Sequence, residues 1–77
     1  MPQLLGEKVR FLRAQRQITQ VELAQRLGLA RQGYISNIEA GRKVPSLDVL
    51  VQIADLFGVT TDYLLRDAIP VGVGETR

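Results

Sequence analysis

Thr19, Glu22 and Gly28, in the stretch TQVELAQRLGLARQGYISNIE from Thr19 to Glu39, constrain the fold of this chain more than any other feature. A threonine hydroxyl accepts a hydrogen bond from the backbone N–H three residues on. A glutamate at that third position reaches back to the threonine's own N–H, so the pair marks a helix start. Leu23, Ala24 and Leu27 then fall on one face, and Gly28, free of the Cβ penalty, turns the chain. A second amphipathic pattern follows, with Ile35 and Ile38 as its buried stripe and Gln32, Tyr34 and Asn37 pointing elsewhere. Helix, short turn, helix forms a stable unit only when further helices brace it.

The rest of the chain supplies them. Leu5, Val9 and Leu12 recur at helical spacing while Lys8, Arg10, Arg13 and Arg16 cover the other faces, which predicts a first helix over Leu4 to Gln17. Downstream, Ser46 reads as an N-cap with Asp48 in the first turn, and Leu47, Leu50, Ile53, Ala54 and Phe57 form a buried stripe that Gly58 stops. Thr60 caps a short fifth helix through Thr61, Asp62 and Tyr63 to Leu64 and Leu65. No strand pattern competes, so an all-α domain of five helices is expected over residues 1–65. Residues 66–77 read as a tail in which Pro70, Gly72 and Gly74 forbid a continuing helix. That tail is either mobile or, through Ile69, Val71 and Val73, an arm on a partner subunit or the start of a linker.

Composition narrows the function. With 77 residues, one domain is expected, small enough that its single core is marginal. There is no cysteine and no histidine, so neither a thiolate or imidazole metal site nor a neutral-pH base is available, and no cofactor or enzymatic activity is expected. No basic-then-apolar leader opens the sequence and no apolar run approaches membrane-spanning length, which predicts a soluble, cytoplasmic protein. The net charge of +2 conceals an asymmetry: residues 1–43 hold eight Lys or Arg against three Asp or Glu, and residues 44–77 hold two against five. Positive charge concentrates around the paired helices, where a polyanion would lie.

The fragments VRFLR, ITQVELAQRLGL, YISNIEAGR, VPSLDVL, IADLFGV and TTDYLL together resemble the helix-turn-helix domain of the phage Cro and repressor-like family, also called the XRE family. The resemblance runs from Gly6 to Leu65, about four fifths of the chain, and is specific in combination although each fragment is weak. It implies a compact, lambda-repressor-like domain whose third helix enters the major groove of double-stranded DNA, in a prokaryotic or phage transcriptional regulator.

The resemblance also distributes roles. It places base readout on Arg31, Gln32, Gly33, Tyr34 and Asn37, phosphate contact on Gln20, Arg42 and Lys43, and a structural bridge on Arg13 and Glu39. The chemistry suits these roles, since glutamine can bond adenine N6 and N7, and arginine can bond guanine O6 and N7. Gly33 lets the backbone approach the duplex. Tyr34 either bonds a phosphate through its hydroxyl or is a half-buried ring covering the core. One departure stands out: four residues, Arg31 to Tyr34, separate Ala30 from Ile35 where the family has three. If the turn absorbs the extra residue, the third helix begins at Arg31 or Gln32 and keeps Ile35 and Ile38 inward.

A homodimer is expected, because a single module buries modest surface and two read a pseudo-palindrome. Val49, Leu56, Leu64 and Leu65 are the candidates for its interface; no membrane or small-molecule partner is expected. The competing class is a protein-interaction module, an antitoxin or adaptor built on the same fold.

Overall fold

Three helices start on the side chains that the sequence marks for the purpose. In the computed structural model, which describes residues 3–31 and 33–72, the elements are α1 Leu5–Gln15, α2 Gln20–Arg26, α3 Gly33–Glu39, α4 Leu47–Phe57 and α5 Thr61–Leu65. Thr19 Oγ1 accepts from Glu22 N at 3.0 Å and Glu22 Oε1 from Thr19 N at 2.7 Å, closing both halves of the capping box of α2. Ser46 and Thr60 cap α4 and α5 in the same way, accepting from Val49 N and Tyr63 N.

The helix ends share one device. After α2, α3 and α4 the chain passes through Gly28, Gly41 and Gly58 in the left-handed region, at φ of 71°, 79° and 69°. Behind each, paired backbone bonds satisfy the last carbonyls; after α2 these are Gly28 N to Gln25 O and Leu29 N to Ala24 O. The end of α1 makes the same paired bonds, Gln17 N to Ala14 O and Ile18 N to Arg13 O, but with Gln17 at φ 56°. This is why α1 stops at Gln15 rather than Gln17. A side chain with a Cβ is strained there, and Gln17 is exposed, so Gln17→Gly is expected to stabilise the domain by about 0.5–1 kcal/mol in urea unfolding. A loss of stability would mean that the glutamine side chain makes a compensating contact.

The core is common to all five helices. Leu5, Val9 and Leu12 of α1 meet Leu23 and Ala24 of α2, Ile35 and Ile38 of α3, Leu50, Ile53, Ala54 and Phe57 of α4, and Tyr63 and Leu64 of α5. Packing pairs α1 with α3 and α5, α2 with α3, and α4 with α5. Ile35 and Ile38 keep their inward positions, 0% and 1% exposed, with Ala30 outside any helix. Among the described residues α3 runs Gly33–Glu39 and Arg31 lies ahead of it, outside the helix.

Several side chains lie where periodicity does not put them. Val49 and Leu64, expected at a subunit interface, are 8% and 0% exposed, packed in the core of their own domain and presenting nothing to a partner. Leu47 does the reverse. Expected inside, it is 73% exposed, since it sits in the first turn of α4 and leans back beyond the helix end. Lys8, read as a surface cation, is fully buried. Its ammonium donates to the carbonyls of Tyr63 and Arg66 at the end of α5 and lies 4.9 Å over the Tyr63 ring. Burial pulls its pKa below the ordinary lysine value, against the opposing pull of Asp67.

The folded unit also runs past Leu65. Asp67 accepts from Gln3 N and Leu4 N, so a carboxylate near the far end of the sequence serves the start of α1, whose own N-cap Leu4 makes no side-chain cap bond. These backbone donors hold the Asp67 carboxyl below its ordinary pKa. Ile69 packs against the core, and Gly72 donates its N–H to the Tyr63 hydroxyl. Through Gly72 the expected tail is thus docked on its own domain, where it bonds backbone donors at the start of α1 and the Tyr63 hydroxyl of α5. Val73 and the residues after it lie outside the described residues.

Candidate nucleic-acid interface

Glu39, at the end of α3, holds the paired helices against the rest of the domain. Its side chain is 2% exposed and receives Arg13 in a two-point contact, Nε to Oε2 at 2.7 Å and Nη2 to Oε1 at 3.0 Å. Hydrogen bonding to Glu39 raises the Arg13 pKa, and Arg13 Nη1 also reaches the Ile18 carbonyl between α1 and α2. Gln20, at the first position of α2, donates Nε2 to Glu39 Oε1 at 3.1 Å. One buried carboxylate therefore ties α1, α2 and α3, and the amide assigned to a phosphate is oriented by it. Arg10 approaches the same oxygen at 3.8 Å from an exposed position.

On the outer side of α3 lies a hollow of about 380 Å³ whose lining includes Arg31, Gly33, Tyr34, Asn37 and Lys43. Four candidate base contacts and one candidate phosphate contact thus share one surface. Arg31 is exposed ahead of the helix, and its carbonyl accepts from Tyr34 N. Gly33 opens α3 with nothing within 4 Å of the place a Cβ would take, leaving the backbone accessible. Gln32, the amide best suited to adenine, lies outside the described residues.

Tyr34 and Asn37 are half-buried and engaged. The Tyr34 ring packs against the core, and its hydroxyl accepts from Ser46 N at 3.2 Å, bracing the loop between α3 and α4. The ring thus covers the core, and the hydroxyl, acting here as acceptor, keeps its own O–H to donate. Lys43 Nζ stands 4.8 Å over the centre of that ring. Asn37 Oδ1 accepts from Arg42 Nε at 3.1 Å. Both loop cations are otherwise exposed, so positive charge borders the hollow on its loop side.

Sequence reasoning did not anticipate that α3 would hold these two cations. A hydrogen bond from residue 42 to residue 37 spans the end of a helix, so no helical spacing rule announces it. Among the described residues, no group of three or more acidic or metal-ligating side chains is placed to hold an ion, and no helix is long and apolar enough to cross a membrane.

Comparison with known proteins fits this geometry. A helix-turn-helix domain family matches residues 6–68. The SPbeta prophage-derived HTH-type transcriptional regulator YonR of Bacillus subtilis is 35% identical over 63 residues, covering 82% of this chain and 57% of the relative. The immunity repressor protein of Bacillus phage phi105 is 36% identical over 63 residues, covering 82% of this chain and 43% of the repressor. The HTH-type transcriptional regulator MJ0272 of Methanocaldococcus jannaschii is 44% identical over 55 residues, covering 71% of this chain and 82% of the relative. The chain thus spans about half the length of YonR and the phi105 repressor. Among solved structures, the DNA-binding domain of the P22 c2 repressor superposes with a TM-score of 0.75 at 27% identity, covering 100% of this chain and 95% of that one.

Proposed function

The chain belongs to the Cro/repressor-like helix-turn-helix family, and on that premise we propose that it is a sequence-specific transcriptional regulator that binds double-stranded DNA with α3 in the major groove. The observation that carries this reading is the outer side of α3, where an open glycine and an exposed arginine lie beside two loop cations. A major groove admits a helix, and its phosphates flank whatever enters it, so cations beside the helix meet them. That the same fold is the DNA-binding domain of the P22 c2 repressor supports the reading.

In this reading Arg31 and Gln32 discriminate bases, as the two side chains at the start of the reading helix suited to bidentate contacts. Arg42 and Lys43 neutralise phosphates, and the second amide hydrogen of Gln20, the one not given to Glu39, serves another. The protein acts as a homodimer. Leu47 and Val51, one turn apart on α4, expose an apolar strip at 73% and 40%, and such strips mark association surfaces. Leu56, half-buried, and Leu65, exposed, add further apolar surface that a second copy could cover. The long dimension of the domain, 31 Å, is of the same order as the roughly 34–36 Å between half-sites one helical turn apart.

Selection of duplexes from a random pool tests all of this. The expected product is an inverted repeat whose binding weakens steeply with salt. Lys43→Ala should weaken every sequence alike and flatten the slope of log K against log salt by about one unit for each phosphate that Lys43 neutralises. Enrichment of no sequence, with retention of a protein partner instead, would favour an interaction module.

A further inference from the structure

Two α3 side chains at base-reading positions are bonded to the loop that follows the helix. Asn37 holds Arg42 twice, its carbonyl accepting from Arg42 N at 2.9 Å and its side-chain Oδ1 from Arg42 Nε at 3.1 Å. A guanidinium only donates, so the amide must turn its oxygen toward Arg42. A bidentate contact to adenine needs that same oxygen to accept from N6 while the amide nitrogen donates to N7. Tyr34 is engaged on the same loop, its hydroxyl accepting from Ser46 N and its ring face lying under Lys43 Nζ.

We infer that Asn37 and Tyr34 are positioning residues, which hold Arg42 and Lys43 ready for phosphate, and that neither reads bases. The inference rests on the DNA-binding reading above. Its physical basis is entropic. A free arginine or lysine in a loop has many rotamers and loses them on binding, whereas a cation already held by an amide oxygen or a ring face has given up part of that freedom beforehand. Gly41, at φ 79°, reverses the chain so that Arg42 comes back over Asn37. Ser46 N, held by Tyr34, fixes the other end of the loop. Base discrimination then falls ahead of Gly33, on Arg31 and Gln32.

The test compares Asn37→Ala, Arg42→Ala, the double variant, Tyr34→Phe and the parent, each against the duplex selected by the parent, its single-base variants and a scrambled duplex. Asn37→Ala should weaken the selected and scrambled duplexes by the same factor, about two- to tenfold from the ordering cost of one side chain. The order of preference among single-base variants should not change. In the Arg42→Ala background the Asn37 substitution should add nothing, since its partner is gone. Tyr34→Phe keeps the ring beneath Lys43 and should keep the preference order and the salt slope.

In the free protein, NMR relaxation of the Arg42 Nε–H should report restricted motion that Asn37→Ala releases. A changed preferred base with Asn37→Ala or Tyr34→Phe, independent losses in the double variant, or an Arg42 side chain as mobile in the parent as in Asn37→Ala would overturn the inference while leaving DNA binding in place. Absence of salt-dependent binding by the parent to any duplex would overturn the functional reading, and this inference with it.

Discussion

Replacing Glu39 by alanine is expected to cost about 3–5 kcal/mol of folding stability, the range for removing one partner of a buried ion pair. A domain of this size has roughly 4–12 kcal/mol in total at the usual value per residue, so the variant should be largely or partly unfolded at room temperature. The size of the effect follows from what the carboxylate holds. Arg13 loses its two-point partner while still largely covered, Gln20 loses its acceptor, and α1, α2 and α3 lose their shared tie. Glu39→Gln, which keeps one acceptor oxygen and the shape, should lose less. Urea unfolding followed by circular dichroism reads both. A loss below about 1 kcal/mol for Glu39→Ala, the value of an exposed pair, would mean that the site is better solvated than its 2% exposure implies.

Gly6→Ala is the second large effect, and it reverses the usual expectation for a helix. Alanine in place of glycine in a helix normally gains about 0.5–1 kcal/mol. At position 6 a Cβ would lie 2.5 Å from the Ile38 carbonyl oxygen and 2.6 Å from that of Glu39. Both obstacles are backbone at the end of α3, so neither can rotate away, and α1 must lift off α3. Overpacking of this kind costs about 1–3 kcal/mol and occasionally more, and it should override the propensity gain here. Gly33→Ala is the control, because nothing stands within 4 Å of its Cβ position and its φ is not in the left-handed region. It should leave stability unchanged or slightly higher. A Gly6→Ala domain as stable as the parent would show that α1 and α3 can separate at little cost.

Both substitutions act on contacts between α1 and α3, which were legible to different degrees. The Arg13 and Glu39 pair came from family resemblance, since no local spacing links residues 26 apart. Gly6 carried no signal for this contact, because a glycine near a helix start has many explanations and its reason here is a carbonyl 32 residues on. The same holds for the interface. Residue types at the start of α3 pointed to base contact, but that Asn37 and Tyr34 each hold a loop cation depends on how the chain returns after Gly41.

What the sequence determined by itself is short in range. Thr19, Ser46 and Thr60 meet donors three residues on, Gly28, Gly41 and Gly58 end the helices they follow, and a period near 3.6 turns Ile35, Ile38, Ile53 and Phe57 inward. These interactions lie within a turn or two, where geometry is the same in any protein. The tertiary structure alone decided the burial of Lys8 under the end of α5, the capping of α1 by Asp67, and the exchange of Leu47 for Val49 at the edge of the core. In each case the partner lies across the fold; for Asp67 it is 64 residues away. A periodic pattern states which side of a helix is apolar, but not which element will cover that side or which polar groups that element will leave unsatisfied.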